Sequence, residues 1–240
     1  MSEKGASRKA LCDADIRRRI LTMELAPGAY LDEVGLAAHY AISRPPLREV
    51  LSQLAGEGFV VLHKNRGAQV SPMTLQTLRT FFQAAPMIYA AVSRLAAAQA
   101  TKAQIMRLKD TQTLFRKAIR DGDTAERALL NQKFHAIIGE MAGNEFLAPS
   151  LERLLIYHTR IGMSFYDARN HRLAEQRRVA ADQHDAFISL IECGDVEAAG
   201  RLAIDHWELS RAEIERFVAP VGMTLPLGAA PGRNDREKAS

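Results

Sequence analysis

Apolar residues recur at helical spacing from the start of the chain. Leu11, Ile16, Ile20, Leu21 and Leu25 mark one face of residues 8–24, with Arg17, Arg18 and Arg19 on the other. Ala26-Pro27-Gly28 ends this segment, since proline and glycine punctuate a helix. A short second helix fits Asp32–His39, with Val34, Leu36 and Ala37 turned inward. The third follows Ser43, a good N-cap, with prolines in its first turn, where a missing N–H costs little. Its apolar stripe is Leu47, Val50, Leu51 and Leu54, and it ends near Gly56 and Gly58. Residues 59–62 and 68–70 then read as two short strands joined by the turn Lys64-Asn65-Arg66-Gly67.

From Thr74 to about Val218 the pattern carries no strand signal. Helices are predicted at 75–99, 102–121, 124–142, 145–167, 171–192 and 195–217, with breaks near Thr101, Gly122-Asp123, Gly143-Asn144, Ala168–Asn170 and Gly194-Asp195. Pro86 lies inside the first of these and is expected to kink it. Long amphipathic helices with short connections imply an antiparallel bundle. The predicted fold is mainly α, an N-terminal winged helix-turn-helix (8–72) followed by an antiparallel all-helical bundle (74–218). The tail 219–240, rich in Pro, Gly and mixed charge, is expected to be flexible.

Composition changes this picture little. In 240 residues, 47% are apolar, which supplies material for two cores. The formal charge is +4, and the first 72 residues hold ten Lys and Arg against eight Asp and Glu. That balance permits a nucleic-acid partner without arguing for one. Cys12 and Cys193 fit no metal or redox spacing and favour a reducing compartment. The opening MSEKGASRKALCDADIRRRI has no apolar signal core, and no run approaches 18 apolar residues, so a cytoplasmic protein without a membrane partner is expected.

The candidate chemistry of the first half lies on the third helix. Arg44 and Arg48 are four residues apart and share one face, opposite the apolar stripe. A helix N-terminus there would offer free N–H groups and a positive dipole end to phosphate. An arginine pair in that position can reach guanine edges or backbone in a major groove. Lys64 and Arg66 at the hairpin tip would approach the neighbouring backbone, with Gly67 allowing close contact. Taken alone, the arginine pair is equally well read as a solvated helix face.

The stretch LAAHYAISRPPLREVLSQLAGEGFV, followed by NRGAQVSP, closely resembles the GntR family of bacterial regulators, as do Ala26-Pro27-Gly28 and Leu31-Asp32-Glu33. The likeness spans residues 11–72. It implies double-stranded operator DNA as partner, with Ser43, Arg44, Arg48, Arg66 and Gly67 as contacts, and Glu49 as an ion-pair partner. Pro45 departs from the family's threonine, removing a hydroxyl and an N–H from the helix start. A homodimer on a pseudo-palindromic operator is expected.

In the second half, His135, His184 and His206 each project near the apolar face of their own helix, and Asn131 lies one turn before His135. A lone histidine so placed is usually a core residue. Three on separate helices of one bundle suit a divalent metal such as Zn, Ni, Fe or Mn. Asn131-Gln132-Lys133-Phe134-His135, Ala142-Gly143-Asn144, Gln183-His184-Asp185-Ala186-Phe187-Ile188, Gly194-Asp195 and His206 resemble the ligand domain of the FadR-type subfamily, called FCD. That resemblance implies a metal on three histidines and an aspartate, gripping a carboxylate effector, an organic or sugar acid. Asn131 stands where the aspartate is expected. An amide oxygen can ligate but lacks the charge, so the histidines could instead hold an anion directly. Tyr157, His158 and Arg160 lie on a helix that could wall the cavity. Phe81–Ala91, FFQAAPMIYAA, departs from the family, which often has an arginine and a glutamate there.

A metal-dependent enzyme on the same three histidines is the alternative. Against it, the sequence offers no nucleophile constellation and no phosphate-binding glycine loop, and Asp182 and Asp185 suit a solvated helix face.

Overall fold

The computed structural model describes residues 3–165 and 171–218; the tail 219–240 and the break at 168–170 lie outside the described residues. The order of elements is α1 (Glu3–Leu21), α2 (Glu33–His39), α3 (Arg44–Glu57), β1 (Val60–His63), β2 (Gly67–Val70), α4 (Leu75–Gln99), α5 (Lys102–Asp121), α6 (Thr124–Ala142), α7 (Ala148–Phe165), α8 (His171–Cys193) and α9 (Val196–Val218). The fold is mainly α, a winged helix-turn-helix followed by an antiparallel all-helical bundle.

In the N-terminal unit, Ile16, Ile20, Leu47, Val50, Leu51, Leu54, Val60 and Val70 close one core. The expected stripe on α1 shifts by a residue. Leu11 is 62% exposed, and Cys12 fills the buried position instead. On α2 only Leu36 is fully inward, while Val34 faces out, because the helix is short and Asp32 caps it by accepting from the Val34 and Gly35 N–H groups. β1 and β2 pair antiparallel, Val60 opposite Val70 and His63 opposite Gly67. β1 begins and ends one residue later than the sequence pattern suggested. Residues 28–31 also join the sheet, with Leu31 N–H donating to the Ala68 carbonyl and Val70 N–H to that of Ala29. This third edge was not legible because a Pro-Gly turn and a two-residue extended run carry no alternation.

The bundle follows the periodicity closely. α4 runs through Pro86 from Leu75 to Gln99 and packs on α6, α7, α8 and α9. The connections are tight for local reasons. Thr101 and Gln104 form a reciprocal capping box at the start of α5, and Gly122 ends α5 with φ +72°, a conformation that disfavours side chains. α7 starts at Ala148, three residues later than the pattern suggested, because Asn144 accepts from the Phe146 and Leu147 N–H groups and makes a turn of its own.

The two units meet along α7. Ile156 is buried in the core of the N-terminal unit, not that of the bundle. Arg153 lies so close to Gly58 that a Cβ there would fall 2.7 Å from its guanidinium. Arg160 is wholly buried and donates to the Ser71 carbonyl at 2.7 Å, just before α4 begins.

Candidate functional site

The helix-turn-helix face is built as the sequence suggested, with one change in its logic. Ser43 has N-cap backbone geometry, yet its hydroxyl makes no capping bond. A capping oxygen accepts from the second or third helical N–H, and those positions are Pro45 and Pro46, which have none. The expectation of several free N–H groups at the start of α3 is therefore corrected: of the first three positions, Arg44 alone has one. Ser43, Arg44 and Arg48 are exposed. Arg48, with a 72% exposed side chain, has its Nε 3.8 Å from Glu33, a loose pair that leaves the guanidinium accessible. Glu49 pairs with Lys9 of α1 at 2.6 Å and so belongs to the scaffold.

Lys64, Asn65 and Arg66 form the wing tip beside this helix, and Lys64 and Arg66 are exposed. Asn65 and Gly67 both have positive φ, +65° and +76°. Gly67 has a second constraint, since a Cβ would sit 2.8 Å from the Glu33 carboxylate. Glu33 thus lies between the wing and Arg48.

The bundle brings His135 of α6, His184 of α8 and His206 of α9 together. Their potential ligand atoms all lie within 4.8 Å of one another. The rings of His135 and His184, His135 and His206, and His184 and His206 have centroids 5.3, 5.3 and 5.0 Å apart. Phe134 stacks on His184 at 3.9 Å and fixes its plane. Burial holds the imidazoles of His135 and His184 well below their ordinary pKa and pushes His206 down to about 3. All three are neutral at neutral pH.

A hydrogen-bond network fixes which nitrogen of His184 carries the proton. Gln112 donates through Nε2 to the Ala181 carbonyl at 2.8 Å and to Asp185 at 2.9 Å, so its oxygen must be the atom facing His184 Nδ1 at 3.1 Å. His184 then carries its proton on Nδ1 and directs a bare Nε2 lone pair inward. Gln183 places its oxygen 2.8 Å from His206 Nδ1 in the same sense. Among the described residues, His135 Nε2 and His184 Nε2 are buried without a hydrogen-bond partner. Buried imidazole nitrogens close to one another, two of the rings oriented by outer acceptors, suit a divalent metal. The residues fit a metal.

Beside this cluster lies a cavity lined by Asn131, His158, Thr159, His206, Arg127 and Arg177, among others. His158 bonds the Tyr89 hydroxyl through Nδ1 at 2.8 Å, and burial lowers its pKa to about 4. Tyr157 packs in the bundle core, and the Arg160 guanidinium lies 5.6 Å from the centre of its ring. Of the three expected effector contacts, His158 lines the cavity. Tyr157 and Arg160 do not line it among the described residues, and Arg160 faces the N-terminal unit.

Residues 12–70 match the bacterial regulatory proteins of the gntR family, and residues 81–209, more than half of the chain, match the FCD domain. The chain belongs to the GntR family and carries an FCD domain. Similar GntR-type relatives include the HTH-type transcriptional repressor RspR of Escherichia coli, 25% identical over 80% of this chain and 82% of its own. The HTH-type transcriptional repressor NanR of Cronobacter sakazakii is 24% identical over 82% of this chain and 81% of its own. Among solved structures, E. coli McbR/YncC superposes with a TM-score of 0.75 at 18% identity, covering 91% of this chain and all of that one. A putative GntR regulator from Rhodococcus sp. RHA1 gives 0.66 at 19%, covering 89% and 99%. These two likenesses concern the fold. The matching families and relatives are transcription regulators, and the enzyme alternative is set aside.

Sequence reasoning missed Gln112, Tyr89, Arg127 and Arg177 of this GntR-family site. Gln183 was legible, adjacent to His184 in the FCD-like motif. Gln112 and Tyr89 reach the site from α5 and α4, and no spacing within one helix reveals them. Asp182 and Asp185 are solvated but not idle, since both pair with Arg116 and Asp185 anchors Gln112.

Proposed function

We propose that this GntR-family protein is a repressor that binds a pseudo-palindromic operator as a homodimer and changes its grip when a small carboxylate-type metabolite enters the FCD cavity. The observation that carries the reading is the placement of α7. One side of this helix supplies His158 and Thr159 to the cavity, and the other supplies Ile156 and Arg160 to the DNA-binding unit. A ligand that moves α7 by a fraction of a helical step acts directly on the domain seam. Binding to one arrangement of α7 in preference to another is the differential affinity that a regulatory response requires.

In this reading Ser43, Arg44, Arg48, Lys64, Arg66 and Gly67 face DNA. Two copies are needed because a single small module reads too few base pairs for specificity. His135, His184 and His206, with Asn131 beside them, hold one divalent cation, Zn, Ni, Fe or Mn. When bound, that cation supplies a Lewis-acidic position for an effector oxygen. His158 sits at the cavity wall, where its free edge can meet the effector, and Arg160 acts through Ser71 instead of touching the ligand.

The test is binding of the purified protein to the intergenic DNA flanking its own gene, compared with random duplex at one salt concentration. Specific binding by at least about a thousandfold is expected, with a stoichiometry of two chains per site. Equal affinity for both duplexes would remove the operator reading. Metal analysis of untagged protein and of a His135→Ala/His184→Ala variant addresses the cation separately. About one equivalent, absent from the variant, is expected.

A further inference from the structure

The open groove between α2, α3 and the wing, about 580 Å³, holds apolar side chains that the fold does not use. Val34 of α2 and Leu62 of β1 line it together with Arg48 and Arg66. Val34 is 61% exposed and Leu62 is 48% exposed, and both arginines are exposed as well. Leu36 is the buried residue of α2, and Val34 packs into neither core of the described residues. A β-branched side chain is also only a modest helix former, so a seven-residue helix gains nothing from valine on its outer side. Single exposed aliphatic residues are ordinary on a protein surface. Two in one groove, beside two exposed guanidiniums, call for a partner that is charged and apolar at once.

The two carboxylates of the groove are already engaged. Asp32 accepts from the Val34 and Gly35 N–H groups. Glu33 stands between Arg48, 3.8 Å away, and the backbone of Gly67. The arginines suit the phosphates and guanine edges of duplex DNA. The aliphatic pair beside them suits the apolar group that a duplex offers in its major groove, the C5-methyl of thymine. Charge therefore selects the occupant: a duplex answers the guanidiniums and the aliphatic side chains together. We infer that Val34, with Leu62 beside it, is a specificity-determining contact that receives a thymine methyl next to the base or phosphate held by Arg48.

The assignment rests on the proposed operator binding and adds two residues to the reading surface. A guanidinium pairs with guanine, whereas an aliphatic contact favours thymine over cytosine, which lacks the methyl. Arg48 and Val34 together thus read two different bases. Burying one methyl group against an apolar side chain is worth about fourfold in affinity.

The probe is a duplex selected by the full chain from a random pool at one salt concentration. Each of its thymines is then replaced singly by uracil, which removes the methyl group and nothing else. In the parent protein, uracil at one or more positions is expected to lower affinity about fourfold. Val34→Ala should melt as the parent does, bind the thymine duplex more weakly by a similar factor, and bind the thymine and uracil duplexes alike. Arg48→Ala should weaken binding yet keep the uracil effect, which separates a methyl contact from a general loss of recognition. Leu62→Ala should diminish the effect, with circular dichroism to confirm its fold; Val34→Ala alone decides if Leu62→Ala does not fold. A loss below about twofold at every thymine, or the parent's full uracil effect persisting in Val34→Ala, overturns the inference. The selection itself separates the cases: if a defined sequence emerges without a methyl effect, only the Val34 assignment has failed, and if none emerges, the operator reading has failed with it.

Discussion

The side-chain oxygen of Gln112 lies 3.1 Å from Nδ1 of His184, and the amide cannot be turned round, because its nitrogen is already committed to the Ala181 carbonyl and Asp185. One glutamine thereby selects the tautomer of a histidine on another helix. Arg116 completes the chain, holding both Asp182 and Asp185 from the solvent side. A buried imidazole is prepared to donate a lone pair through a series of interactions that ends at the surface.

Removing that orientation is expected to weaken metal binding without disturbing the fold. Gln112→Leu keeps much of the bulk and removes the acceptor for His184 Nδ1–H. Loss of an outer partner of this type usually lowers metal affinity by about 10- to 100-fold. Competition with a zinc-binding dye reads the change directly. Unaltered zinc affinity would show that His184 is not held for a metal.

The arginines of α3 give a prediction with a built-in control. Arg44 and Arg48 are exposed, so Arg44→Ala/Arg48→Ala should leave thermal stability within about 0.5 kcal/mol of the parent. Operator affinity should fall by about 1–3 kcal/mol for each arginine that reads a base edge. The salt dependence tells base readout from phosphate binding, since each phosphate no longer neutralised lowers the slope of log affinity against log salt by about 0.9. A double variant that binds the operator as well as its parent would place recognition elsewhere.

Much of this molecule can be read from the chain because helix periodicity and core burial agree. α4, α5 and α6 begin and end where the pattern of Leu, Ile, Phe and Ala predicts. The histidine cluster was legible for the same reason, as three imidazoles on three apolar faces must converge when those faces pack. Other features depend on partners distant in sequence. The hydroxyl of Ser43 looks like a cap until the two prolines after it are counted as missing donors. Arg160 looks like a cavity residue from its position two after His158. On a helix, however, two residues correspond to about 200°, which turns it to the opposite side, toward Ser71. Leu11 gives way to Cys12 because a thiol at the correct angle packs better than a larger side chain displaced by about 100°.

Acid sensitivity follows from the buried imidazoles. Burial lowers the pKa of His135 and His184 well below 6.5, that of His158 to about 4 and that of His206 to about 3. Above pH 6.5 both folded and unfolded chains leave these rings neutral, and stability is at its full value. As pH falls below 6.5, only the unfolded chain takes up the protons, so stability declines. The decline continues toward about pH 4 for His158 and about pH 3 for His206, at up to about 1.4 kcal/mol per pH unit for each ring. Urea unfolding of metal-free protein at pH 7 and pH 5 checks this within a window above the range where carboxylates titrate. The midpoint should fall clearly at pH 5. A flat profile would mean that the rings are solvated, with no prepared lone pairs.

The seam along α7 gives the last prediction. Ile156 is buried in the core of the DNA-binding unit although it belongs to a bundle helix, and Arg160 fastens the same helix to the Ser71 carbonyl. Burial has already lowered the Arg160 pKa to about 10, so the guanidinium remains charged at neutral pH inside the seam. Its contact with the Tyr157 ring offsets part of the desolvation. Two units sharing one side chain and one buried hydrogen bond should unfold together. Ile156→Ala removes packing worth about 2–5 kcal/mol, and Arg160→Met replaces the donor with an apolar chain while leaving the Ser71 carbonyl without its partner. Calorimetry of the parent should give one transition, and each variant should split it, with the DNA-binding unit melting first. The variants should still bind zinc, because neither residue touches His135, His184 or His206, yet a carboxylate effector bound in the cavity should no longer alter operator affinity. Coupling retained in both variants would mean that the signal reaches the DNA by a route other than α7, and the placement of His158 and Arg160 two residues apart would then carry no regulatory meaning.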